Sequence, residues 1–166
     1  MKEQEYWLKG LNLEKHPEGG YYSEIYKCSQ RIGAGQLSGG YEGPRNLSTS
    51  IYFLLPSNEV SKFHRLESDE LWYFHDGSSL TVFIIDEDGT LKEVKLGLDL
   101  EKGEVPQVVI PGKSIFGAAV NSPDSYTLAG CMVSPGFDFR DFELVPRAWL
   151  LEKYPDHREI ILKLAE

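Results

Sequence analysis

The chemistry-bearing residues of this sequence concentrate in the stretch 63–77, FHRLESDELWYFHDG, where a histidine and several carboxylates interrupt aromatic and aliphatic residues. Side chains alternate faces along a β-strand, so His64 and Leu66 share one face and Glu70, Trp72 and Phe74 share another. A turn over Glu67–Asp69 that pairs the two strands would bring His64 and Glu70 into one interior. A facing imidazole and carboxylate can bind a divalent metal, or act as an acid/base pair, because histidine titrates near neutral pH. The same two residues can equally form a buried hydrogen bond inside an aromatic core. His16 and His75 sit near turns and His157 lies in the last helix, positions that predict solvated surface residues rather than ligands. Cys131 follows Gly130 in a strand, with only His64 as a conceivable activating partner, and reads as a buried inert thiol rather than a nucleophile.

The elements that must position these residues are mostly short strands. Apolar and β-branched runs predict strands at Thr49–Leu55, Val60–Leu66, Glu70–His75, Ser79–Ile85, Leu91–Leu96, Gln107–Ile110, Ile115–Val120 and Tyr126–Val133. Turn signals such as Pro56-Ser57-Asn58, Asp76-Gly77 and Asp86-Glu87-Asp88-Gly89 separate them. Strands at this spacing predict an antiparallel sandwich or barrel. Before them, a helix over Glu3–Lys9 ends at Gly10, and the turn His16-Pro17-Glu18-Gly19-Gly20 delivers a strand through Tyr26. The glycine-rich segment 31–46 reads as a long loop or hairpin excursion. After Ser134-Pro135-Gly136 the pattern turns helical, with Pro146 opening one helix to Lys153 and Asp156 capping another through Leu164. The aromatic and charged segment 135–143 reads as an anchor for these helices or as a dimer contact.

Composition narrows the partners. The 166 residues carry 17 Lys and Arg against 26 Asp and Glu, a formal charge of −9, which repels phosphate backbones and anionic lipids. Nucleic acid and membrane are therefore not expected as partners. No run reaches the length of a membrane span and the first residues lack an apolar leader, so a cytoplasmic location is expected. Cys28 and Cys131 are too far apart in sequence to suggest a zinc framework, and reduced thiols are expected.

The order His64, Glu70, Gly77 resembles the first motif of the cupin superfamily, and IPGKSIF (110–116) its second. More specifically, the chain resembles the cupin superfamily 5 family, a domain of unknown function. The blocks that carry this are residues 7–13 leading into HPEGGYY (16–22), TSIYFLL (49–55), FHRLESDELWYF (63–74), AGCMVSPGFDFRDFEL (129–144) and RAWLLEKYP (147–155). The resemblance implies one mainly-β domain over 1–166, an antiparallel β-barrel or jelly roll (a double-stranded β-helix) with a short N-terminal helix and C-terminal helices. It also implies a homodimer joined through an edge strand and the N-terminal segment.

Metal-binding cupins use a His-x-His pair and a glutamate from the first motif and a histidine from the second. Here His64 and Glu70 occupy two of the four places, while Leu66 and Phe116 occupy the others, so neither metal nor other cofactor is expected. His75, Gln107 or Cys131 would have to fill a vacancy, and the strand phasing points His75 away. What remains is a pocket for a small polar molecule, with Tyr22, Glu24, Tyr52, Trp72, Gln107, Phe116 and Cys131 as candidate ligand contacts beside His64 and Glu70. Three readings stand. The first is a metal-independent protein acting on a carbohydrate or nucleotide-sugar, with His64 as base and Glu70 orienting or protonating it, as in an epimerase or isomerase. The second is a metal-dependent oxygenase or lyase using His64 and Glu70. The third is a non-catalytic structural or binding module.

Overall fold

A computed structural model describes residues 3–166. Helix α1 (Gln4–Gly10) precedes strands β1 (Glu14–Lys15), β2 (Tyr21–Lys27), β3 (Arg31–Ile32), β4 (Arg45–Asn46) and β5 (Thr49–Pro56). Next come β6 (Val60–Arg65), β7 (Asp69–Gly77), β8 (Leu80–Ile85), β9 (Leu91–Leu96), β10 (Glu104–Val105) and β11 (Gln107–Ile110). The chain ends with β12 (Ile115–Val120), β13 (Tyr126–Ser134), β14 (Glu143–Leu144), α2 (Arg147–Lys153) and α3 (Arg158–Leu164).

Two six-stranded sheets dominate, ordered β1-β2-β5-β13-β7-β11 and β10-β9-β8-β12-β6-β14, while β3 and β4 form a separate two-residue ladder inside the 31–46 excursion. The expected β-barrel or jelly roll is not what forms. Neither sheet closes on itself or curls over, no ladder among the described residues joins the two, and each ends in edge strands, β1 and β11 in one, β10 and β14 in the other. The turns that looked like hairpin connections explain the difference. β5, β6, β7 and β8 alternate between the sheets, so the turns at 57–59, 66–68 and 78–79 carry the chain across the gap instead of pairing neighbours. The ladders come instead from distant strands: β13 pairs with β5 and β7, and β12 with β6 and β8. Of the expected tight turns, the one over residues 86–90 does join ladder partners, β8 and β9.

Period-two alternation then builds three apolar layers. Phe53, Leu55, Trp72, Val82, Ile84 and Phe116 meet between the sheets. Phe63, Phe83, Ile85 and Ile115 face outward from the second sheet, where Leu150, Ile161 and Leu164 of α2 and α3 cover them. Leu54, Tyr126 and Leu128 face outward from the first sheet and are covered by Trp7, Leu8, Leu11 and Leu13. Strand β8 is buried along its whole length because both of its faces are covered, hence its unbroken apolar sequence. At the last helix, Pro155–His157 forms a 3-10 turn and His157, not Asp156, occupies the N-cap, without a side-chain capping bond.

Candidate functional site

A cavity of about 270 Å³ opens between the sheets on the side of β2, β5, β6, β7 and β13. The turn after β1 brings in His16 and Glu18. Gly19 and Gly20 both have positive φ (115° and 70°), and a Cβ on Gly19 would lie 2.1 Å from the Val60 carbonyl oxygen. Only a residue without a side chain lets this turn pack against β6, and Lys62 N–H donates to the Glu18 carbonyl there at 2.8 Å. Glu18 is thereby driven inward and buried.

A bulge in β6 supplies the second half of the site. Phe116 pairs with His64 and Ala118 with Ser61, so one extra residue of β6 is accommodated. The bulge breaks strict alternation, so Ser61 and His64 both reach Glu18 although they lie three positions apart, while Phe63 packs outward under the helices. Ser61 Oγ donates to Glu18 Oε1 at 2.7 Å, and His64 Nε2 lies 3.1 Å from Glu18 Oε2. His64 Nδ1 lies 2.6 Å from the Lys62 carbonyl oxygen, which can only accept, so Nδ1 carries the proton and Nε2 faces Glu18. His16 Nδ1 is 3.3 Å from Glu18 Oε2 and accepts from the Glu18 backbone N–H at 3.3 Å, which leaves the ring proton of neutral His16 on Nε2.

Burial sets the protonation of this cluster. It lowers the His64 pKa to about 4, against a small upward pull from the Lys62 carbonyl, and lowers that of His16 as well. Burial raises Glu18, with His16 and Ser61 opposing. Burial thus disfavours the charged form of all three residues. Glu70 enters from β7 with its Oε1 accepting from Trp72 Nε1 at 2.8 Å. Burial and the nearby Glu18 raise its pKa to about 8, so Glu70 is a neutral acid at pH 7, with its proton on Oε2. Cys131, buried near both carboxyls, is pushed well above the usual thiol range and stays protonated. Both cysteines are free.

His64 and Glu70 line the same cavity, but from opposite sheets rather than through a paired turn. Tyr22, Glu24, Trp72 and Cys131 line the cavity with them. Phe116 lies behind His64, ring centroids 4.1 Å apart, as part of the core floor. Tyr52 and Gln107 do not line the cavity: Tyr52 alternates to the outer face and touches His75, and Gln107 is exposed on edge strand β11. His75 is exposed and His157 Nε2 bonds to the Gly89 carbonyl. His16 is the correction among the histidines: its side chain is 6% exposed, edge-on to Tyr22 with ring centroids 4.7 Å apart. The sequence reading also passed over Glu18, Ser61 and the rings Phe137, Phe139 and Phe142, which close one wall. The paired glycines after Glu18 were the available signal. The segment bearing the three rings is pinned by a buried ion pair, Arg45 Nε and Nη2 donating to Asp141 at 2.7 and 2.6 Å.

The donor set does not fit a cupin metal. Leu66 and Phe116, 5% and 1% exposed, fill two ligand places with hydrocarbon. Among the described residues no group of three or more His, Cys, Asp or Glu is arranged to hold a metal ion. No helix of the described residues is long and apolar enough to cross a membrane.

Comparison with known proteins places these features in a family. The chain is 34% identical over 144 residues to the uncharacterized protein YML079W of Saccharomyces cerevisiae, covering 81% of this chain and 71% of that one. Among solved structures it resembles protein SO0799 of Shewanella oneidensis, with a TM-score of 0.89 and 46% identity over 100% of this chain and 99% of that one. A hypothetical protein from Leishmania major is similar too, with a TM-score of 0.89 and 38% identity over 99% of each chain. The family model for the cupin superfamily (DUF985) matches residues 5–145, and with that match the chain belongs to this family, as the motifs around His64 and Gly112 implied.

Proposed function

We propose that the protein binds a small hydroxy-carbonyl compound of carbohydrate type in the cavity between the sheets and moves a proton on the carbon beside the carbonyl, without a metal. The observation that carries this is a cavity lined by two buried groups shifted in opposite directions, the imidazole of His64, kept neutral by burial 3.1 Å from Glu18, and the neutral acid Glu70. Environments that push titratable groups apart are how acid and base are assigned at one pH. The carbon-bound proton passes to the Glu18–His64 pair while the Oε2 proton of Glu70 passes to the carbonyl oxygen, giving an enediol. Return of a proton to the opposite face yields an epimer, and return to the neighbouring carbon yields an isomer. The positive charge gained by the pair is matched by the carboxylate left on Glu70, so the buried site stays neutral overall.

Size favours a free sugar over a nucleotide-sugar. A cavity of about 270 Å³ lies just under the usual range of roughly 300–1,000 Å³ for ligand pockets, small for a sugar joined to a nucleotide. Phe53 and Trp72, with ring centroids 5.3 Å apart, and the rings of the 137–142 segment offer the apolar faces on which a sugar ring packs.

The test is exchange in deuterated water with a panel of aldoses and ketoses, read by proton NMR at the carbon beside the carbonyl. Wild-type protein is expected to incorporate deuterium into one member, and His64→Ala or Glu70→Gln to slow this by about a hundredfold or more. Exchange that survives both substitutions would overturn the assignment of acid and base. A panel member that raises thermal stability but never exchanges would point to a binding module instead.

A further inference from the structure

We propose that the cavity selects a hydroxylated amine, whose ammonium group sits at the rim between Glu14 and Glu24 over the Tyr22 ring while its polyol end reaches the buried acid and base. This rests on the reading of the cavity as a ligand site and names the charge of its occupant. Glu14 pairs with Tyr22 across β1 and β2, and Glu24 follows Tyr22 by two residues, so all three lie side by side on the sheet face that lines the cavity. Both carboxylates add to burial in raising the Tyr22 pKa, which reports how closely their fields converge on that ring. Two carboxylates flanking an aromatic face attract an ammonium group by charge and by the ring quadrupole.

The interior adds the second half of the argument. Among the described residues that line the cavity there is no lysine or arginine, and four are glutamates. A phosphate or carboxylate would be stripped of water with no cation to receive it, which is strongly unfavourable. Glu70 is 7% exposed and lines the cavity, and its one side-chain hydrogen bond among the described residues is to Oε1, which leaves Oε2 open to a ligand group. With its ring proton on Nε2, His16 presents a donor to a ligand hydroxyl. Polar interior groups thus suit hydroxyls and a carbonyl, whereas the rim suits a cation. The nearest internal competitor for the rim is Lys27, 3.9 Å from Glu24, and both partners of that contact are about half exposed, so water screens it.

The experiment compares matched probes by calorimetric titration of the intact protein: glucosamine, glucose and gluconate, then serinol, glycerol and glycerate. The amine of a triplet is expected to bind about tenfold more tightly than its neutral partner, and the acid most weakly. In the double variant Glu14→Gln/Glu24→Gln the amine's advantage over its neutral partner should vanish. Both positions are exposed, so the fold should tolerate the exchange. Neutral or acidic members that bind as well as the amine, or an amine preference that survives the double variant, would overturn the inference and leave the ligand-site reading intact. Failure of every probe to bind would overturn both.

Discussion

Glu70 carries a proton at neutral pH because burial and the neighbouring Glu18 outweigh the Trp72 hydrogen bond that favours its charged form. Its folded pKa of about 8 lies above its ordinary value of 4.5, so between those values the folded protein keeps a proton that the unfolded chain releases. Stability from this group therefore falls as pH rises through that window. His64 acts the other way: its value drops from 6.5 to about 4, so its contribution grows as pH rises across that interval and is complete above it. Between pH 6.5 and 8 the carboxyl trend, which Glu18 shares in direction, stands alone. Wild-type stability is expected to fall by about 2 kcal/mol over that range. Glu70→Gln, which cannot ionise, should flatten the fall. Urea midpoints at several pH values check this, and an unflattened slope in the variant would show that Glu70 is already ionised.

Two local devices, a glycine turn and a buried ion pair, hold the lining of the cavity, and each makes an element-level expectation. The turn at Gly19 works only without a side chain, because both its φ of 115° and the Val60 carbonyl oppose a Cβ. Gly19→Ala should cost more than about 1 kcal/mol and weaken ligand-induced stabilisation by displacing Glu18. Thermal melts with and without ligand separate the two effects, and an unchanged melt would refute the packing role. The aromatic wall depends on Arg45, which is 1% exposed. Arg45→Ala strands the Asp141 carboxylate and should destabilise by about 3–5 kcal/mol, measured by denaturant titration. A loss below 1 kcal/mol would mean that the 137–142 segment holds itself.

At the scale of the whole molecule, two unclosed sheets leave edges that must be managed. β1 covers only Tyr21 and Tyr22 of β2, so Ser23–Lys27 present an unpaired side, with Ile25 and Tyr26 52% and 51% exposed. This edge is where the homodimer expected from the resemblance would pair. Sedimentation of the wild type should give twice the 18.8 kDa chain mass, and Tyr26→Lys should shift it towards monomer. A monomeric wild type would leave this edge solvent-facing and refute the pairing.

The positions of the strands were legible in the sequence because period-two burial and turn residues are local properties: Leu91–Leu96, Gln107–Ile110 and Ile115–Val120 have the bounds that their apolar runs predict. The family was legible in the order of His64, Glu70 and the Pro111-Gly112 turn. Alternation also identified the shared face of Glu70 and Trp72. Which strands pair was not legible, since a short turn looks the same whether it joins neighbours in one sheet or crosses to the other; open sheets instead of a barrel follow from that choice. Nor could the sequence show Glu18 and Ser61 joining His64. A bulge shifts the phase of β6 without altering its composition, and the contact between residue 18 and residues 61 and 64 exists only once Gly19 packs on Val60. Residue types set the available chemistry, but long-range packing decided which carboxyl lies beside the histidine and which beside Trp72.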